Sequence, residues 1–408
     1  MYSVNTCLCD RLVLASSRGL IIVVLLVFAG CGGSSKESNS VTEGTTHPTA
    51  ENIPSDDEVD HLISMRGASG AGGDLQEVVL ALRSARKTLT LGVPEGEREE
   101  MIGKVEDVAV DEDGNVYVLD ARNNEVKIYD AEGHFERVFG GPGRGPVEFM
   151  APRLLSIDAR GRLVVADRRA PIKVFEPRDT TYAYRNSIRV TASPEGLCVM
   201  NGRLYWQGLT FEEASEERGT IHAVSMTGEL IGRFGYQYKS GNALVRGQLS
   251  MGHVACSKVS HTVVLGFHSL PMLYGYSADG QKKWVTKFED FKQARHVEAV
   301  RGGRRGVLND PTPASTGGES DIVWTLAAAP NGYVVAQLAR RNKASLQARK
   351  FYAELHTYVI DGATGEGMYV GDSLPKIYEV TREKVYAGRN DPFPQVVIYE
   401  FKESMSGI

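Results

Sequence analysis

Val108-Ala-Val-Asp-Glu-Asp-Gly-Asn-Val-Tyr-Val-Leu-Asp120 returns, little changed, as Leu155-Ser-Ile-Asp-Ala-Arg-Gly-Arg-Leu-Val-Val-Ala-Asp167. Each copy alternates apolar and polar residues on either side of an Asp-x-x-Gly turn, the pattern of two short strands in a hairpin. Each then runs into a third alternating stretch, Glu125-Val-Lys-Ile-Tyr-Asp130 or Pro171-Ile-Lys-Val-Phe-Glu176. The repeat predicts a four-stranded antiparallel unit that packs against copies of itself, since a lone unit cannot bury its apolar face.

Weaker copies follow. Gly202-Arg-Leu-Tyr-Trp206 and Gly332-Tyr-Val-Val-Ala336 align with Gly114-Asn-Val-Tyr-Val118, and Thr262-Val-Val-Leu265 and Lys384-Val-Tyr-Ala387 bring the second strands to six. The last unit has only three strands, at 376–380, 383–387 and 395–401, while Lys87-Thr-Leu-Thr-Leu91 stands alone before the first. The orphan is expected to complete the last unit and close a ring, leaving no open sheet edge. Such a ring is expected to be monomeric.

The pieces Val116-Tyr-Val-Leu-Asp120, Val126-Lys-Ile-Tyr-Asp130, His134-Phe-Glu-Arg-Val-Phe-Gly140 and Gly143-Arg-Gly-Pro-Val-Glu-Phe149 resemble the NHL-repeat type of six-bladed β-propeller, and within it bacterial lipoproteins of that fold. The resemblance implies an all-β, six-bladed propeller over 75–403, strongest in the first two blades. Some NHL-type propellers are amidating lyases or lactonases that hold metals in the central channel, so the resemblance also admits a metal-dependent hydrolase or lyase.

The N-terminus gives an address. Arg11 and Arg18 precede an apolar run from Leu20 to Phe28, about half of what a bilayer crossing needs, so 1–30 reads as a signal peptide. Val27-Phe-Ala-Gly-Cys31 resembles the bacterial lipobox, with Phe28 in place of the usual Leu, and makes Cys31 the expected lipidation site. Gly32 rather than Asp follows it, which for a lipoprotein implies the outer membrane of a two-membrane cell. Residues 31–74 are mostly Ser, Thr, Glu, Asp, Gly and Pro, as in a flexible linker, with a helical stretch from Leu75 to Arg86 beyond it. The expected location is therefore the cell envelope, facing the periplasm or the cell surface. Cys198 and Cys256 remain in the body and sit on innermost strands of neighbouring units. A bridge between them is geometrically open, but two buried thiols are the expectation, since free cysteine is commonly core.

A net charge of −5 over 408 residues leaves no basic excess for a nucleic-acid partner. Motifs for chemistry also fail. Asp111-Glu-Asp-Gly114 opens like a calcium loop, yet its bidentate acid would fall on Arg122; a hairpin turn explains the same residues. Gly140-Gly-Pro-Gly-Arg-Gly145 lacks the Lys-Ser/Thr of a phosphate loop, and the nine histidines show no zinc spacing. No metal, cofactor or catalytic residue is assigned.

In a propeller the short turns, such as 111–114 and 158–161, gather on one face, and the long connections, 140–152, 208–220, 235–252, 287–321 and 338–352, gather on the other. Function is expected on the long-loop face. The 208–220 loop is acidic, whereas Arg301, Arg304, Arg305, Arg340 and Arg341 make the later loops basic, a pattern suited to a protein or glycan partner. By alignment, Glu106, Arg153, Glu195, His253 and Asp321 begin the innermost strands and are expected around the channel mouth. Arg389, Asp120 and Asp167 end second strands and are expected to fasten the ring by ion pairs.

Overall fold

The computed structural model describes residues 58–65, 73–168, 170–209, 219–296, 313–348 and 350–402, and the backbone alone of 43–44, 297–301 and 304–310. The signal segment, Cys31 and the acidic loop at 210–218 lie outside these residues.

Six antiparallel sheets follow one another in chain order. Blade 1 comprises Val105–Val110, Val116–Asp120, Glu125–Tyr129 and Phe135–Gly140, and its turn closes by a Gly114 N–H to Asp111 carbonyl bond of 3.2 Å. Gly114 has φ +87°, which explains why glycine recurs at this point of the repeat. Asp111 spends its carboxylate on the Asp113 and Asn115 N–H groups, the Asn115 amide and the Tyr117 hydroxyl, the duties of a turn residue.

The innermost strands, Val105–Val110, Pro152–Ile157, Gly196–Met200, Gly252–Ser257, Glu319–Ala328 and Lys376–Val380, pack each beside the next, and the sixth beside the first. The hydrophobic core is divided accordingly into six clusters, one between each pair of adjacent blades. Blade 6 is completed by Arg86–Leu91, which pairs antiparallel with Gln395–Glu400. The orphan strand closes the ring.

Asp120 and Asp167 serve their own blades through backbone hydrogen bonds. Asp120 accepts from the Gly103 and Lys104 N–H groups, and Asp167 from those of Met150 and Ala151, so each carboxylate pins the entry to its own blade. The seam between blades 6 and 1 is held by Asn390, whose side chain accepts from the Val105 N–H at 3.0 Å and donates to the Val105 carbonyl at 3.1 Å.

Two other expectations are corrected. Cys198 and Cys256 form a disulfide with Cα atoms 5.6 Å apart, joining the innermost strands of blades 3 and 4. Side-by-side inner strands bring the two Cα atoms within bridging range, which composition alone does not reveal. The linker expected over 31–74 also contains a docked strand, His61–Ile63, parallel to Lys282–Phe288 at the outer edge of blade 4. Asp60 and Ile63 extend the pairing through backbone bonds to Val285 and Glu289, and Ile63 is buried among Trp284, Phe288 and Tyr358. Next in the chain, the helix Gly73–Ser84 lays Leu75, Val78, Val79 and Leu82 against blades 5 and 6, the i, i+3, i+4, i+7 spacing of one helical face. Residues 58–65 and 73–91 thus form a belt across the outer edges of three blades.

Candidate functional site: the channel mouth

In four blades the innermost strand carries one residue more than its partner strand, at Glu106, Arg153, Trp324 and Tyr378. A bulge interrupts the ladder and re-aims the extra side chain. At these positions it supplies the channel mouth with two charged and two aromatic groups. Trp324, not Asp321, is therefore the blade-5 counterpart of Glu106 and Arg153. The alignment slips because blade 5 opens with additional paired residues, Glu319 to Ile322 against Ala339 to Asn342.

Four of the five expected mouth residues come together. Arg153 Nη2 lies 2.5 Å from a Glu195 carboxylate oxygen, and Glu106 pairs with Lys104. His253 Nε2 faces His268 Nε2 at 3.0 Å, so one ring donates and the other accepts. Burial pushes both imidazoles below their ordinary range, His268 to about 4, with the Arg153 charge acting in the same direction on each. The pair is neutral at neutral pH.

Sequence comparison missed the centre of the cluster. Lys376 holds its ammonium 4.2 Å from the centroid of Tyr378 and 5.7 Å from that of Trp324. Burial pushes the Lys376 pKa down, while Asp107 and Glu106 oppose that shift. Tyr378 donates to the Val105 carbonyl at 3.2 Å, and Trp324 packs on Phe351 and Tyr352 with centroids 4.4 and 4.7 Å apart. The result is a half-buried aromatic wall beside alternating acids and bases. Extending the alignment of first strands to blade 6 would have pointed to Tyr378, the counterpart of Glu106 and Arg153, two residues from Lys376.

Two further carboxyls lie along the innermost strands. Burial raises Asp107 to about 7, against the Leu155 N–H that bonds it at 2.8 Å, and raises Glu379 to about 8. Among the described residues no group of three or more His, Cys, Asp or Glu could hold a metal ion.

Asp321 is fully buried elsewhere, where Arg340 donates to its two oxygens through Nε and Nη2, each at 2.9 Å, and the Lys292 N–H bonds it at 2.8 Å. Arg340 is accordingly committed to structure. The strands carrying Arg301, Arg304 and Arg305 form a hairpin, Arg295–Arg301 with Arg304–Asp310, where the sequence suggested a loop; the three side chains lie outside the described residues.

Residues 95–283 match a family model described as "6-bladed beta-propeller". The chain is a six-bladed β-propeller. Among solved structures, the propeller is similar to a Bacteroides fragilis protein described as exported, with a TM-score of 0.53, 10% identity and coverage of 84% of this chain and 99% of that one. It is also similar to a member of the duf4221 family from Bacteroides vulgatus, with a TM-score of 0.50, 12% identity and coverage of 78% and 98%. Virginiamycin B lyase from Staphylococcus aureus aligns at a TM-score of 0.41 and 11% identity over 77% and 98%. At these identities the likeness concerns the fold alone. No curated protein matches the sequence.

Proposed function

We propose that this propeller is a lipid-anchored, extracytoplasmic binding scaffold that receives a glycan at the channel mouth of its long-loop face. The observation that carries the reading is the half-buried wall of Trp324, Phe351 and Tyr352 beside Lys376 and the Arg153–Glu195 pair. A sugar ring offers an apolar C–H face and a rim of hydroxyls. It therefore suits a site with exposed aromatic planes flanked by groups that both donate and accept. The address rests on the 1–30 signal pattern and Cys31, and the Cys198–Cys256 disulfide fits an oxidising compartment.

The test is titration of the protein with a panel of neutral and acidic oligosaccharides by calorimetry. Trp324→Ala is expected to weaken the binding glycan by about tenfold or more, a loss of roughly 1.4 kcal/mol, with the melting temperature nearly unchanged. If no oligosaccharide binds, or if Trp324→Ala binds as well as the parent, the reading fails and a protein partner takes its place.

A further inference from the structure

The start of blade 5 holds a second group of polar side chains, with several buried atoms that have no hydrogen-bond partner among the described residues. Ser320 stands directly opposite Arg341 in the antiparallel pairing of Glu319–Ala328 with Tyr333–Asn342. The adjacent cross-strand pair, Asp321 with Arg340, projects from the other side of the ribbon because successive residues alternate. Both Asp321 oxygens are engaged by Arg340, and one also by the Lys292 N–H. The neighbouring carboxylate is therefore already committed: its charge still acts on Arg341, but among the described residues no salt bridge to Arg341 forms.

The unmet capacity is concentrated. Arg341 Nε and Nη2, the Ser320 hydroxyl and both ring nitrogens of His296 are buried without a hydrogen-bond partner. Ser320 and His296 have no exposed surface at all, and Arg341 is half-buried with its Nε and Nη2 covered. His296 belongs to the hairpin strand Arg295–Arg301, and the Asp321 N–H to Lys292 carbonyl bond of 2.8 Å ties the chain just before that strand to blade 5. Burial lowers His296 to about 4, with the Ala294 backbone opposing the shift and the Arg341 charge adding to it.

Leaving a buried polar group unpaired costs on the order of 1–3 kcal/mol, and more for a charged one. Water could satisfy a hydroxyl or an imidazole, but it supplies no counter-charge to a guanidinium. An oxyanion supplies both, since Nε–H and a terminal N–H form the fork that binds carboxylate or phosphate with two parallel hydrogen bonds. We propose that the base of the 295–310 hairpin is an oxyanion site in which Arg341 provides the fork and Ser320 and His296 provide further donors. The ligand class is a sulfate, phosphate or carboxylate group, free or carried on a larger molecule. The site is separate from the channel mouth and does not depend on the glycan reading.

The full chain, solubilised in detergent, is titrated with sodium sulfate, sodium phosphate and sodium acetate at constant ionic strength set by chloride, with calorimetry and melting temperature as readouts. At least one of these anions is expected to bind saturably and raise the melting temperature; tetrahedral anions and acetate then report which source of the oxyanion fits. Arg341→Met is expected to abolish binding, and Arg341→Lys, which keeps the charge but loses the fork, to weaken it by about tenfold. Ser320→Ala, a smaller change, is expected to weaken it by about threefold to tenfold, and it carries the test should Arg341→Met fold poorly. Trp324→Ala is expected to bind the anion as the parent does. Absence of saturable binding by all three anions, or unchanged affinity in Arg341→Met or Ser320→Ala, overturns the proposal.

Discussion

Asn390 gives both functions of its amide to one peptide group, Val105, across 285 positions of sequence. Gln207 and Gln337 do similar work between consecutive blades. Gln207 accepts from Gly252 and donates to the Ser250 carbonyl, and Gln337 accepts from Ile377 and donates to the Pro375 carbonyl. A primary amide suits this task because it can donate and accept at once without carrying a charge into the core. Asn390→Ala is expected to cost about 1–3 kcal/mol in urea unfolding, since it leaves a peptide group unpaired at the seam. A loss below about 0.5 kcal/mol would show that the amide does not hold the seam. A second residue-scale prediction concerns Glu379, raised from 4.5 to about 8 by burial. A carboxyl that keeps its proton longer when folded gives stability that is full below pH 4.5 and falls as pH rises to about 8. Glu379→Gln is therefore expected to match the parent near pH 4 and to exceed it near pH 9 by on the order of 1–3 kcal/mol. Equal pH slopes for the two proteins would refute it.

At the scale of the element, alternation and turn glycines made the strands legible, and the counting of strands disclosed how the ring closes. The bulges were not legible. An extra residue such as Glu106 or Trp324 disturbs alternation by a single position, and a short strand tolerates that without a change in composition. For that reason alignment placed Glu106 and Arg153 correctly but put Asp321 where Trp324 belongs. The disulfide was half legible, because the inner-strand assignment brought Cys198 and Cys256 side by side while composition favoured two thiols. Its reduction opens a loop with a sequence separation of 58. The expected cost is about 2–4 kcal/mol, measured as the difference in urea unfolding with and without reductant. A mass spectrum of the unreduced protein with both residues alkylated would defeat the assignment.

At the scale of the whole molecule, the sequence carried the repeat number, the closing strand and the division into two faces. The helix and closing strand of the belt were legible, but its docked strand was not, because His61-Leu-Ile63 is too short to show a period, and its burial depends on a cleft between blades 4 and 5 that exists only once the ring is built. The proposed anchor belongs to this scale as well. Cys31→Ala is expected to move the protein from the membrane fraction to the soluble fraction, and retention on membranes would overturn lipidation at that residue.

The belt also sets an order of mechanical failure. A pull on the chain from its N-terminal side reaches the two-residue pairing of Glu43–Gly44 with Arg295–Arg301, then His61–Ile63, then the helix Gly73–Ser84, and only afterwards Arg86–Leu91, the strand that completes the sixth blade. All three that precede the closing strand can be stripped away without parting any of the six innermost strands. Residues 58–65 and 73–84 thus act as a mechanical fuse, yielding under tension before the load reaches the closing strand.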